Sequence, residues 1–282
     1  MCGRYYLVTS IETIARLFGV DLSRGAASAR MSLPPRYNIA PQQMIPVVRA
    51  AARAGDEASE REIAPREVAM LSWGFVPSWT SDLREARKPI NARCETAASG
   101  AMFRGAFAER RCIVPADGWY EWQVDPATGH KTPRLMRVLD GEGNPACFAM
   151  AGVWEAWRTR DPDPSRRVEH ESCAIITTAA AKACAHVHDR MPAILPAHAI
   201  DRWLDPNEKD AGALASLLTP LETAKLSITR VSTRVNSPRN DGAELIEAVS
   251  EDAPPELKET PAKSPRGRAK PQDPWQGSLF GG

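Results

Sequence analysis

Residues 110–124 read RRCIVPADGWYEWQV. Two runs rich in β-branched and aromatic residues flank Pro115-Ala116-Asp117-Gly118, a combination of turn formers. Proline sets one backbone angle, aspartate can bond the chain two residues on, and glycine accepts conformations that other residues avoid. The spacing predicts two strands folded into a hairpin at Asp117-Gly118. Strand character recurs on both sides of it. It appears in RYNIAPQQMIPVV (36–48, a loop entering a strand) and VAMLSWGFVPSW (68–79), then in PRLMRVL (133–139) and ACFAMAGVWEAW (146–157), and finally in CAIITTA (173–179) and LSITRVS (226–232).

Helical patterns are fewer and shorter. TSIETIARLFGV (9–20) has a capping box in Thr9 and Glu12, an apolar face of Ile11, Ile14, Leu17 and Phe18, and Gly19 to end it. SDLREARKPI (81–90) reads as a helix stopped before Pro89, and AIDRWL (199–204) and KDAGALASLL (209–218) read as two more. RAAARAGDEASEREIAPRE (49–67) has the composition of a mobile hairpin tip, and RTRDPDPSRRVEHE (158–171) that of a loop between strands. Many non-local strands with scattered helices predict one α+β or barrel-like domain over residues 2–250, not alternating βαβ units. From about Pro254 the chain turns Pro- and charge-rich, with little to bury, so residues 251–282 are expected to be a disordered tail.

The 282 residues carry a formal charge of +1, which excludes a polybasic coat but leaves room for a local basic groove. No run approaches the roughly 18 apolar residues of a membrane span. Arg4, Glu12 and Arg16 interrupt any signal-peptide core, so the expected location is the cytoplasm. The six cysteines have no C-x-x-C pair, and His186 and His188 do not supply a clustered ligand set, so no metal or cofactor is expected. Cys112, Cys147 and Cys173 sit in apolar runs and read as inert core thiols.

Cys2 is different. Removal of Met1 leaves an α-amine beside a thiol, groups that titrate near about 8 and about 8.5 and are both partly nucleophilic at neutral pH. Such an aminothiol condenses with an aldehyde to an imine and closes a thiazolidine, or attacks an amide carbonyl as an N-terminal nucleophile. Position alone favours the plainer reading, a cysteine that merely follows the start codon. Asn91 and Arg93 in PINARCET offer an amide to orient an amine and a guanidinium for phosphate. Glu121 lies among aromatics, where burial would raise its pKa toward acid–base work, or else it faces outward from its strand. His188, beside Asp189 and Arg190, is a proton shuttle or a structural histidine.

Taken together, MCGRY, RYNIAPQQ, WGFVPSW, INARCET, RCIVPADGWYEW, MAGVWE, IITTAA, VHDRMPAIL and NDGAELI resemble, in order and across about residues 2–248, the SOS response-associated peptidase (SRAP) family of abasic-site processing proteins. The resemblance implies a single domain of twisted, mainly antiparallel β-sheet forming a barrel-like core with peripheral helices. It implies that Cys2 links covalently to the ring-opened aldehyde of an abasic site in single-stranded DNA, with Asn91 holding the amine and sugar and Glu121 and His188 moving protons. A lyase outcome by β-elimination is a possible side activity. DNA contacts implied by the family fall on Arg4, Asn38, Pro41, Arg93 and Thr177, with Arg190 beside the histidine. Trp73 and Trp79 are candidates for stacking on bases, or equally for the core. The expected setting is the DNA damage response, with the protein a monomer near the nucleoid. The two rivals are a cysteine peptidase acting in trans through Cys2 and a non-covalent reader of modified DNA. At the far end, Gln276, Leu279 and Phe280 of QGSLF resemble peptides that dock on the replication sliding clamp, or form a chance apolar chain end.

Overall fold

The computed structural model describes residues 2–23, 32–51, 64–159, 163, 165, 167–222 and 225–252. The tip of the 49–67 connection and the QGSLF segment lie outside the described residues.

Five strands close on themselves. Strand β3 (Met44–Ala50) pairs antiparallel with β4 (Arg66–Trp73) and with β6 (Arg111–Ala116). β6 pairs with β9 (Phe148–Arg158), β9 with β10 (Glu169–Ala179), and β10 returns to β4 in parallel, while the short β11 (Arg190–Pro192) and β12 (Ile194–Leu195) add to β10 and β9. The ring is a closed barrel whose interior is filled by residues such as Ile45, Val47, Leu71, Cys112, Val114 and Met150. β6 is buried at every residue, which is why it reads as a continuous apolar run. Its Pro115 sits beyond the two-residue pairing with β3, where a missing N–H breaks no ladder bond.

A second sheet lies beside the barrel, with strands in the order β13 (Leu226–Arg230), β8 (Lys131–Val138), β7 (Gly118–Val124), β1 (Tyr5–Leu7) and β2 (Arg36–Ile39), all antiparallel. The expected hairpin at 110–124 is therefore not formed: β6 belongs to the barrel, β7 to the second sheet, and the two do not pair. The turn residues serve a crossover. The Asp117 carboxylate accepts the Val8 N–H at 2.6 Å, the Thr9 N–H at 2.9 Å and the Thr9 hydroxyl at 2.6 Å, while its own N–H donates to the Tyr6 carbonyl. Gly118 is required by space. A Cβ there would lie 2.5 Å from the Tyr6 ring and 2.6 Å from the Met136 carbonyl oxygen.

The helices are peripheral. α1 (Ile11–Phe18) is capped by Ser10, whose hydroxyl accepts the Thr13 N–H, not by Thr9, which Asp117 has already engaged. It buries Ala15 with Ile11, Ile14 and Phe18, leaving Leu17 49% exposed, and ends at Gly19 in the left-handed conformation. After the short α2 (Cys94–Ala97) and α3 (Arg104–Glu109), α4 (Ala197–Leu204) and α5 (Ala211–Ser216) form where expected. The helix expected over 81–90 does not form; Asp82 accepts the Arg84 N–H, and this local turn takes the place of the first helical bonds. Among the described residues no helix is long and apolar enough to cross a membrane.

Candidate active site

The site forms where β1 delivers the N-terminus to the edge of the barrel. Tyr5 pairs with Trp119 and Tyr6 with Gly118, and the Tyr120 N–H donates to the Arg4 carbonyl, so the residues before Tyr5 run alongside β7. Cys2 is fully buried. Its carbonyl accepts the Asn91 side-chain N–H at 2.8 Å. Asn91 itself begins β5 (Asn91–Arg93), a short strand paired in parallel with Ile175–Thr177 of β10. The other amide atom, Asn91 Oδ1, is buried with no hydrogen-bond partner among the described residues.

Burial, with the Glu121 charge adding to it, pushes the Cys2 thiol far above the usual thiol range. With Met1 still attached, this burial favours the protonated thiol. Glu121, on β7, is 3% exposed, and desolvation raises its carboxyl from 4.5 to about 7. It faces inward, which resolves its two sequence readings.

His188 follows a series of turns, its N–H donating to the Cys184 carbonyl. Its Nδ1 accepts the Arg190 backbone N–H at 2.9 Å. Burial lowers its pKa; Asp189, with Oδ1 2.9 Å from Nδ1, opposes this but does not outweigh it. Glu121 and His188 line one open cleft of about 510 Å³, together with Trp122, Val124, Lys131 and Asn236.

The remaining sequence candidates divide into those that shape the cleft and those that do not. Arg4 is half-buried; its guanidinium donates to Asn38 Oδ1 at 2.7 Å and to the Val235 carbonyl at 2.8 Å. Fully buried Asn38 in turn holds the carbonyls of Val235, Ser237 and Asn240 through its amide nitrogen. Both residues thus fasten the segment that brings Asn236 to the cleft, where the Trp122 indole N–H donates to Asn236 Oδ1 at 2.7 Å. Arg93 is exposed at the end of β5, opposite buried Thr177. Arg190 is held in a forked pair with Glu95, at 2.5 and 2.9 Å, and donates to the Thr177 carbonyl at 2.6 Å. Pro41 lies half-buried in the turn between β2 and β3.

Trp73 is a core residue, fully buried, edge-on to Tyr5 and donating to the Ile90 carbonyl; it has no face for a base. Trp79 is 63% exposed but does not line the cleft, and its loop is anchored by Ser78 to Glu155 and by the Thr80 carbonyl to Trp157. Sequence reasoning missed Trp122, Val124, Lys131 and Asn236. The one signal is register, which pairs Val124 with Lys131 across β7–β8.

The class these features define is a β-barrel protein whose own N-terminal cysteine is built into the site. Residues 1–238 match the family described as SOS response associated peptidase (SRAP), and the chain belongs to that family. It is 36% identical over 251 residues to the abasic site processing protein YoqW of Bacillus subtilis (strain 168), an alignment covering 88% of this chain and 100% of that one. It is 30% identical over 232 residues to the abasic site processing protein HMCES of Xenopus tropicalis, covering 76% of this chain and 66% of the relative. Among solved structures, a protein from Bacteroides thetaiotaomicron aligns with a TM-score of 0.71 at 26% identity, covering 88% of this chain and 100% of that chain.

Proposed function

We propose that this chain processes abasic sites in DNA, and that Cys2 is the residue that reacts. The single observation that carries the reading is the convergence on Cys2. Asn91 grips its carbonyl with one amide atom and presents the other, buried and without a partner among the described residues, while an inward carboxyl of pKa about 7 stands close enough to raise the thiol. An orphaned acceptor at this place suits the α-amine that hydrolysis of the Met1–Cys2 bond would create.

The amine adds to the C1′ aldehyde of the ring-opened deoxyribose, and the carbinolamine loses water to give an imine. The thiol sulfur adds to the imine carbon, its proton passing to the nitrogen, and the thiazolidine is closed; one water is released overall. His188 donates a proton to the sugar oxygen as the ring opens. Glu121 takes the thiol proton that burial holds in place and returns it to nitrogen or to the departing hydroxyl. Prompt ring closure competes with β-elimination from the imine, the lyase outcome.

Single-stranded DNA is the substrate form this cleft suits. It is open, carries Lys131 at its rim, and has the exposed Arg93 nearby on the strand of Asn91. The setting proposed is DNA damage repair by a monomer at the nucleoid, through a unit spanning residues 2–250, with QGSLF as a clamp-docking peptide. A denaturing gel tests the chemistry. Wild-type protein gives a heat-stable adduct with abasic single-stranded DNA, whereas Cys2→Ala and a protein with residues added before Cys2 give none. Equal cross-linking by Cys2→Ala overturns the reading, and Cys2-dependent turnover of a peptide without any DNA adduct replaces it with the peptidase.

A further inference from the structure

The second sheet carries two guanidinium groups on the same face as Glu121. Glu121 pairs directly with Arg134 across β7–β8, and Arg134 pairs directly with Arg230 across β8–β13. Directly opposed residues of antiparallel strands point to one face. The two strand spacings put the whole row within about 10 Å of Glu121.

These cations are occupied by the chain itself. The Arg134 guanidinium is paired with the Glu251 carboxylate through Nη1 and donates to Gln123 Oε1 at 2.9 Å through Nε. Arg230 Nη1 donates to the Ser250 and Glu251 carbonyls at 2.9 and 2.7 Å, and the Val249 N–H returns a bond to the Arg230 carbonyl. The Glu251 side chain is 63% exposed, so the anion sits at the mouth of the pair and not beneath it. Val249, Ser250 and Glu251 lie beyond residue 238, where the family match ends, while Arg134 and Arg230 lie within it.

We propose that Arg134 and Arg230 form a phosphodiester-binding site for the strand entering or leaving the cleft, and that Glu251 occupies it as an internal anion until DNA displaces it. The proposal rests on the reading that single-stranded DNA lies in the cleft. An oligonucleotide phosphate carries the same charge as the carboxylate and offers acceptor oxygens to the same guanidinium group, so exchange keeps Arg134 paired. The Ser250–Glu251 backbone stays held by Arg230 while the side chain swings out. A strand whose sugar sits at Glu121 brings a neighbouring phosphate onto this row.

Binding of an intact oligothymidine, followed by fluorescence anisotropy across a salt series, tests the site without the covalent step. Full-length Glu251→Gln binds about threefold to fivefold tighter than wild type at low salt, the scale of freeing one exposed ion pair. Arg134→Gln binds more weakly, and its log–log salt slope is shallower by about 0.7, one phosphate contact on a single strand. Unchanged or weaker binding by Glu251→Gln, or an unchanged slope for Arg134→Gln in a protein that melts at the wild-type temperature, overturns the proposal. So does failure of the wild type to bind intact oligothymidine. Cys2-dependent cross-linking is read on a separate gel, so loss of the phosphate site and loss of the covalent reading are told apart.

Discussion

Replacing Glu121 by glutamine should stabilise the protein and disable it. The carboxyl is 3% exposed, and desolvation raises it from 4.5 to about 7. A carboxyl whose folded pKa lies above its unfolded value binds more protons folded than unfolded. Stability therefore falls as pH rises from 4.5 to about 7, and the loss is complete above that. At about 1.4 kcal/mol per unit, the cost at pH 8 is about 3 kcal/mol. Glutamine keeps the shape and never ionises, so Glu121→Gln should match wild type near pH 5 and exceed it by up to about 3 kcal/mol at pH 8. Urea denaturation of both proteins from pH 5 to pH 8 reads the difference directly. Cross-linking by the variant should drop about a hundredfold or more, the scale of a lost general base. Parallel stability curves across that range would refute a buried, ionisation-strained Glu121 and, with it, the proton-carrying role.

Two further substitutions probe the corner at 117–118. Gly118→Ala forces a Cβ to within 2.6 Å of the Met136 carbonyl oxygen and should cost about 3 kcal/mol, seen as a lower melting temperature with no compensating gain at any pH. Asp117→Ala strands the Val8 and Thr9 N–H groups and should cost about 3 kcal/mol; hydrogen exchange should show β1 opening first, since those bonds tie the end of that strand to the barrel.

Much of this fold is legible because the barrel strands are long, apolar and β-branched, and burial on both faces leaves little else they can be. What failed failed for local reasons with a common cause. Pro115-Ala116-Asp117-Gly118 has the chemistry of a turn, but the Asp117 carboxylate spends it on Val8 and Thr9, more than 100 residues away in sequence, and the chain changes sheets instead of reversing. The same contact takes Thr9 from the helix cap and passes that role to Ser10. Residues 81–90 have helix-forming composition, and a single Asp82–Arg84 turn outcompetes it. At the site, the residue types of Cys2, Asn91, Glu121 and His188 were legible. The indirect work of Arg4 and Asn38 was not, because it depends on a segment near residue 236 that carries no pattern of its own.

The corner also explains why a cysteine at the very start of the chain can sit in a buried site. Tyr6 pairs with Gly118 and Tyr5 with Trp119, so each step toward the N-terminus is matched by one step along β7. The bond from the Tyr120 N–H to the Arg4 carbonyl continues that register, and one step further sets Gly3 opposite Glu121 with Cys2 next in line. A hairpin at 117–118 would have paired β7 with β6 and left no edge for β1. Because the chain crosses sheets there, the edge is open, β1 fills it, and the residues ahead of Tyr5 are carried along β7 toward the carboxyl. On the reading proposed for Cys2, backbone register places it before any side chain in the cleft acts on it, and residues added ahead of Cys2 are expected to abolish cross-linking without disturbing the fold.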